Sequence, residues 1–192
     1  MQVDRVIFPV RSLGPGNRMV IWTVGCDLKC PGCSSPDLRL KDKTKDIAVD
    51  KLGSMIDAVA TKSTIDGFTI TGGEPFAQPS HLLILLKHIS VISRDILIYT
   101  GYTLKELEKI PNNYYAAEIL NLTAVLIDGP YISSLNDGKP LRGSSNQTIH
   151  MLKSEYSQVY KDYQLNQRII ENFLYNNNLI SVGIHNQYNS GA

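Results

Sequence analysis

No stretch of this 192-residue chain is apolar for long enough to cross a bilayer as a helix. The longest apolar runs, Leu82 to Leu86 and Ala124 to Ile127, fall far short of the ~20 residues a span requires. An excess of either charge is also missing. Nineteen lysines and arginines stand against eighteen aspartates and glutamates, for a formal net charge of +1, so the bulk electrostatic footprint of nucleic-acid or anionic-membrane binding is absent. Cysteine is scarce, at three residues, and the number is odd; Met1 is followed by Gln2, Val3, Asp4 and Arg5 rather than by a signal peptide. These features exclude a disulfide-stapled secreted scaffold and lead to the expectation of a cytoplasmic protein with no membrane association. No internal repeat or low-complexity tract interrupts the chain, and its length suits one main core rather than two full domains.

The little cysteine there is lies in one place. Cys26-Asp27-Leu28-Lys29-Cys30-Pro31-Gly32-Cys33 gathers all three thiols into eight positions. Three thiolates on one loop can hold three irons of a cubane iron–sulfur cluster and leave the fourth open, whereas electron-transfer clusters normally take a fourth protein thiolate. Structural zinc is the competing use. It takes four ligands, and the fourth would have to be His81, His88, His150 or His185, far along the chain. His81 and His88, seven apart on one expected helix, are expected to have no nearby acidic or cysteine companion and read as structural or solvent-exposed. A second motif, Thr71-Gly72-Gly73-Glu74-Pro75, has the composition of a tight turn.

Between and beyond these motifs, strand and helix patterns alternate. Val3 to Val10 and Met19 to Thr23 are expected strands with Gly14-Pro15-Gly16 between them, the second delivering the chain to the cysteine loop. Lys41 to Asp46 reads as a solvated loop, and Ile47, Leu52, Met55, Ile56 and Val59 keep helical spacing. A strand from Phe68 to Thr71 ends at Gly72-Gly73, and Pro79 opens a helix carrying Leu82, Leu83, Leu85, Leu86 and Ile89. A strand from Ile96 to Thr100, short helices around Thr103 to Lys109 and Tyr115 to Leu120, and a strand from Ala124 to Ile127 follow. This alternation predicts a parallel sheet.

Ligands of such sheets bind at the C-terminal strand ends, where Cys26, Gly72, Thr100 and Asp128 would meet. A closed eight-unit barrel typically takes about 250 residues. The expected fold is therefore α/β, an open, partial (βα) barrel formed by residues 1–153. Residues 154–192 are expected to add a short helix (Tyr156, Val159, Tyr160, Tyr163) and a β-hairpin, Arg168 to Leu174 with Leu179 to Ile184, packed on that core. The tyrosines read as packing residues, and Tyr188 to Ala192 as a frayed end.

On these residues the chain resembles the radical S-adenosylmethionine (SAM) superfamily, in the C-x3-C-x2-C spacing and the Gly-Gly-Glu-Pro turn. Within it, the chain resembles the small activating proteins of anaerobic ribonucleotide reductase. Gly14-Pro15-Gly16 with Arg18, the Pro31-Gly32 spacer, Thr100-Gly101-Tyr102, Val125 to Gly129 and Arg142-Gly143-Ser144-Ser145-Asn146-Gln147 are similar in order and approximate spacing. They cover most of residues 5 to 153, and the last stretch is the most family-specific.

The resemblance implies a [4Fe–4S] cluster on Cys26, Cys30 and Cys33, with SAM on the open iron. It implies reductive cleavage of SAM to a 5′-deoxyadenosyl radical and hydrogen abstraction from a glycine Cα of a large glycyl-radical partner enzyme. A flavodoxin- or ferredoxin-type protein would donate the electron. The SAM-binding positions implied are Thr71, Gly72, Gly73, Glu74, Pro75, Thr100, Asp128, Arg142, Ser144 and Asn146. Ser145 and Gln147 would add donors for SAM or the partner's glycine loop, and Tyr102 either stacks on adenine or simply packs. Gly72 and Gly73 would let the backbone approach SAM, so that a bulky residue at Gly73 hurts SAM binding more than the fold.

No catalytic side chain is expected beyond the cluster and SAM, because a carbon radical needs no general base. Two features depart from the family. Ser34-Ser35 follows Cys33, where reductase activators usually carry an aromatic or His and then Asn, and residues 154–192 extend beyond the compact members. They leave open a radical SAM enzyme that modifies a peptide, nucleotide or other small molecule directly. A non-catalytic iron–sulfur or zinc binding module is the third reading.

Overall fold

A computed structural model describes residues 1–109, 114–175 and 177–185; the expected frayed end, Tyr188 to Ala192, lies outside them. Six strands form one sheet in sequence order: β1 (Val3–Val10), β2 (Arg18–Thr23), β3 (Gly67–Gly72), β4 (Ile96–Tyr99), β5 (Val125–Asp128) and β6 (Thr148–Met151). The pairs β2–β3, β3–β4 and β4–β5 are parallel, and the two edge strands run antiparallel to their neighbours. The fold is thus α/β with a mostly parallel sheet. Continuous apolar stretches such as Met19-Val20-Ile21-Trp22 and Ile96-Leu97-Ile98 suit strands covered on both faces.

One face carries the helices α1 (Val49–Ala60), α2 (Pro79–Ile89), α3 (Leu104–Lys109) and α4 (Tyr114–Leu122). Their Leu52, Ile56, Leu82, Leu86 and Ile119 pack with Met19, Ile21, Phe68, Ile70 and Ile98 of the sheet in the main core. The other face is covered by the C-terminal segment, α5 (Ser157–Gln164) followed by the hairpin β7 (Ile170–Tyr175) and β8 (Asn178–Gly183). Phe173, Ile180 and Val182 of the hairpin pack on Ile7, Val20 and Trp22, while Tyr160 of α5 packs on Leu97, Val125 and Ile127.

Beneath α5 lies a buried polar knot. The Arg18 guanidinium, 0% exposed, donates from Nε to Thr69 Oγ1 (2.7 Å), from Nη1 to Asp95 Oδ2 (2.8 Å) and from Nη2 to the Phe68 carbonyl (2.5 Å). The Tyr160 hydroxyl donates to Asp95 Oδ1 at 2.6 Å. One cation thereby joins β2, β3, the entry to β4 and α5.

Two local expectations change. Residues 148–151 form the edge strand β6, which the sequence reading does not contain; Thr148-Ile149-His150-Met151 is short and half polar, as suits an edge. The solvated loop at Lys41 to Asp46 holds a 3-10 turn over Lys43–Lys45, because the Asp42 carboxylate accepts from Thr44 N at 2.9 Å. Among the described residues, no helix is long and apolar enough to cross a membrane.

Candidate active site

A cavity of about 510 Å³ opens at the C-terminal ends of β2, β3 and β4 and the start of the β5–β6 connection. Its volume is in the range of sites that enclose small ligands and cofactors. Cys26, Cys30 and Cys33 line it together with Thr71 to Glu74, Tyr99 to Gly101 and Gly129. The cysteine loop is clamped at its feet. Gly25 N donates to the Leu38 carbonyl (2.8 Å) and Cys26 N to the Arg39 carbonyl (2.9 Å). Within it, Cys33 N donates to the Cys30 carbonyl at 3.3 Å, and Gly32 has φ +70°. Proline then glycine is the sequence a turn with positive φ at its third residue requires, and it seats Cys30 and Cys33 at the two ends of one turn.

The three thiols are free and half-buried. Cys33 Sγ accepts from Ser35 N at 3.4 Å, the Cys26 thiol donates to the Leu28 carbonyl at 3.6 Å, and burial raises Cys26 above the ordinary thiol range. Among the described residues, no three His, Cys, Asp or Glu side chains are drawn together as a ready metal cage. The thiols stand as separate parts of the cavity lining.

The Gly-Gly-Glu-Pro turn is stitched to the foot of the cysteine loop. Gly73 N donates to the Thr23 carbonyl and Glu74 N to the Gly25 carbonyl, both at 2.8 Å. Gly72 has φ +110°, and a Cβ there would sit 2.5 Å from Thr23 N and O; at Gly73 it would sit 2.6 Å from the Gly25 carbonyl oxygen and 2.9 Å from that of Leu38. Both glycines are required by the close passage of two backbones, so a side chain at Gly73 strains the fold directly, which weighs against the expectation that it would hurt SAM binding more than the fold. Gly73→Ala is expected to push the cysteine loop off its clamp and lower iron incorporation along with SAM binding, as iron content per chain would show.

Glu74 is 1% exposed and braces the turn. Its Oε1 accepts from Phe76 N and Thr100 Oγ1, both at 2.9 Å, and its Oε2 from Gly101 N at 2.8 Å. Burial pushes its carboxyl up to about 6, against the opposing pull of those donors. Because the folded state holds this proton more tightly than the unfolded chain, whose glutamate titrates near 4.5, the group's ionisation costs stability above pH 6. The cofactor-free protein is expected to gain about 2 kcal/mol from this group as pH falls through 6 to below 4.5. Denaturant melts across that window should show the slope in the native protein and its loss in Glu74→Gln.

A family model described as a 4Fe-4S single cluster domain matches residues 12–150. The anaerobic ribonucleoside-triphosphate reductase-activating protein of Salmonella typhi is 34% identical over 149 residues, 73% of this chain and 92% of its own length. That of Enterobacteria phage T4 is 33% identical over 158 residues, 78% of this chain and 93% of its own length. The chain belongs to the family of these activating proteins. A more distant relative, the pyruvate formate-lyase-activating enzyme of Staphylococcus epidermidis, is 24% identical over 143 residues, 73% of this chain and 56% of its own length. The family match ends at residue 150, so α5 and the hairpin lie outside it.

Among the positions suggested by the family resemblance, Thr71, Gly72, Gly73, Glu74 and Thr100 line the cavity with the cysteines, and Pro75 is buried behind them. Asp128, Arg142, Ser144 and Asn146 are absent from its lining. The Asp128 carboxylate accepts from Leu104 N (2.7 Å) and Thr148 N (3.3 Å), holding the start of α3 to β6. His150 Nε2 comes within 2.8 Å of Asp128 Oδ2, yet at an angle that makes no hydrogen bond. Arg142 pairs with Asp137, Ser144 Oγ accepts from Ile132 N, and Asn146 Nδ2 donates to the Pro130 carbonyl. From that stretch, Gly143 and Gln147 reach the cavity. Tyr102 is absent from the lining and packs against the main core.

Other residues enter the site unannounced by any motif. Arg5 and Tyr99 line the cavity, and among the described residues Arg5 Nε and the Tyr99 hydroxyl are buried without hydrogen-bond partners. Trp22, beneath the Arg5 guanidinium at 5.0 Å, and the run Ser181 to His185 at the end of the hairpin join the wall, as do Ser34 and Ser35, the pair at which the sequence departs from the family. Of the other histidines, His88 pairs with Asp57 at 2.9 Å, an acidic companion supplied by α1 rather than by its own helix.

Proposed function

We propose that this chain is a radical SAM activase that generates a glycyl radical on a partner enzyme of the anaerobic ribonucleotide reductase type. The observation that carries the reading is the stitching of the three-cysteine loop to the Gly-Gly-Glu-Pro turn on the wall of one cavity. The residues suit the implied cofactors. Three free thiols occupy one loop, and they line the same cavity as the Gly-Gly-Glu-Pro turn, whose glycines leave no side chain between the backbone and a bound group.

Cys26, Cys30 and Cys33 would hold a [4Fe–4S] cluster, and Thr71 to Glu74 with Thr100 would border SAM. When bound, cluster and SAM supply the reductive cleavage that yields a carbon radical able to take a hydrogen atom from glycine. The chain's own work is positional. The Gly25–Leu38 and Cys26–Arg39 bonds hold the cysteine loop, Glu74 ties its turn to Thr100 and Gly101, and Trp22 and Val182 give the wall an apolar part.

The same reading includes a partial barrel of the radical SAM type and a division into a core, 1–153, with an extension, 154–192. It also includes a flavodoxin- or ferredoxin-type donor and a cytoplasmic setting. The test is anaerobic reconstitution, reduction and incubation with SAM and the anaerobic ribonucleotide reductase of the same genome. A glycyl-radical signal by electron paramagnetic resonance, with 5′-deoxyadenosine formed alongside, is expected. A reconstituted cluster that never cleaves SAM, or cleavage with no radical on the reductase, overturns the reading.

A further inference from the structure

The hairpin β7–β8 does more than cover apolar surface. Its register pairs Tyr175 with Asn178, and two residues separate them, so that pair is the hydrogen-bonded one next to the turn. Counting back, Phe173↔Ile180 and Glu171↔Val182 are hydrogen-bonded pairs, while Asn172↔Ser181 and Ile170↔Gly183 are not. The backbone N–H and C=O groups of Ser181 and Gly183 therefore point away from β7, out of the free edge of β8. They find no partner among the described residues.

That edge faces the site. Five consecutive residues, Ser181 to His185, line the cavity. Side chains along a strand alternate between its two faces, so the consecutive strand residues Ser181, Val182 and Gly183 on one wall mean that the backbone edge itself is presented, with Ile184 and His185 continuing the wall beyond the strand. Nothing blunts it, since Asn178–Gly183 contains no charge and no proline, the usual guards of a free edge. Ser181 and Gly183 are also small, which lets a second backbone come close. The edge is short because the His185 carbonyl is already taken by Asn136 Nδ2 (2.9 Å) and Arg168 Nη1 (3.3 Å).

We propose that the free edge of β8 at Ser181 to Gly183 is a template on which an extended, glycine-bearing segment of the partner enzyme adds as a third strand. This rests on the activase reading and names how that site takes its substrate. Main-chain hydrogen bonds to Ser181 and Gly183 hold the segment, as in other strand-addition complexes. The wall they form is shared with Cys26, Cys30, Cys33 and Gly72 to Glu74, so a residue carried along the edge is delivered to the reacting end of the cavity.

The probe is a short fluorescein-labelled peptide with the sequence around the radical glycine of the anaerobic ribonucleotide reductase from the same genome, bound to the reconstituted protein. Ser181→Pro removes one outward N–H without touching the β7–β8 ladder, and is expected to weaken binding by about tenfold. Asn172→Pro makes the same change on the opposite edge and is expected to bind the peptide as the native protein does. With the native protein, N-methylation stepped along the peptide should weaken binding at alternate positions, a readout independent of how any variant folds.

Equal losses in Ser181→Pro and Asn172→Pro, native affinity in Ser181→Pro, or N-methyl effects with no alternation each overturn the template. So does edge-to-edge dimerisation of this chain that Ser181→Pro abolishes while peptide binding persists. A native protein that forms the glycyl radical but fails these tests loses the template alone; one that forms no radical loses the activase reading as well.

Discussion

Cys26→Ala is expected to abolish cluster assembly and SAM cleavage while leaving the cofactor-free protein's stability within about 0.5 kcal/mol of native, the usual range for substitutions outside a core. The physical reason lies in what holds the loop. Its feet are fixed by main-chain bonds from Gly25 to Leu38 and from Cys26 to Arg39, none of which uses a thiol. Cys26 belongs to none of the three apolar clusters, and its side chain makes one long contact, to the Leu28 carbonyl. Truncation therefore removes a ligand and little else. Iron content and 5′-deoxyadenosine after anaerobic reconstitution measure the first effect, and a denaturant melt the second. A variant that still assembles a SAM-cleaving cluster would show that Cys26 is dispensable as a ligand.

Arg18→Met is expected to have the opposite profile, a loss of about 3–5 kcal/mol in stability, as when one partner of a buried ion pair is removed. The Asp95 carboxylate, 7% exposed, would keep its proton donor Tyr160 but lose the guanidinium that neutralises it. Thr69 Oγ1 and the Phe68 carbonyl would lose a donor in the same step. The charge left unpaired accounts for most of the cost. Adding Asp95→Ala to Arg18→Met should recover part of it, and a double-mutant cycle from denaturant melts gives the coupling. Additive losses would mean that the two residues act separately.

The main strands and helices are legible in the chain because their signals are local. Val3 to Val10, the apolar run at Met19 to Thr23, Pro79 at the head of α2 and the spaced apolar residues of α1 each announce an element without reference to the rest. β6 escapes because a four-residue, half-polar edge strand is defined by its pairing with β5. The site divides in the same way. Cysteine, and glycine at a strand end, carry their chemistry in their identity, so Cys26, Cys30, Cys33 and Gly72 to Glu74 stand out. The roles of Asp128, Arg142, Ser144 and Asn146 depend on neighbours such as Leu104 N, Asp137, Ile132 N and the Pro130 carbonyl, which sequence does not reveal. The entry of Arg5, Tyr99 and the hairpin into the cavity is a product of tertiary packing alone.

The bonds from Gly73 N to Thr23 and from Glu74 N to Gly25 give the two halves of the site a shared fulcrum. Occupancy at one half then alters the work needed to order the other. Thermodynamic reciprocity requires that whatever factor SAM adds to cluster retention, the cluster adds to SAM affinity. Retention of iron against a competing chelator at equilibrium is thus expected to rise when SAM is in excess, making the substrate a guardian of the centre that consumes it.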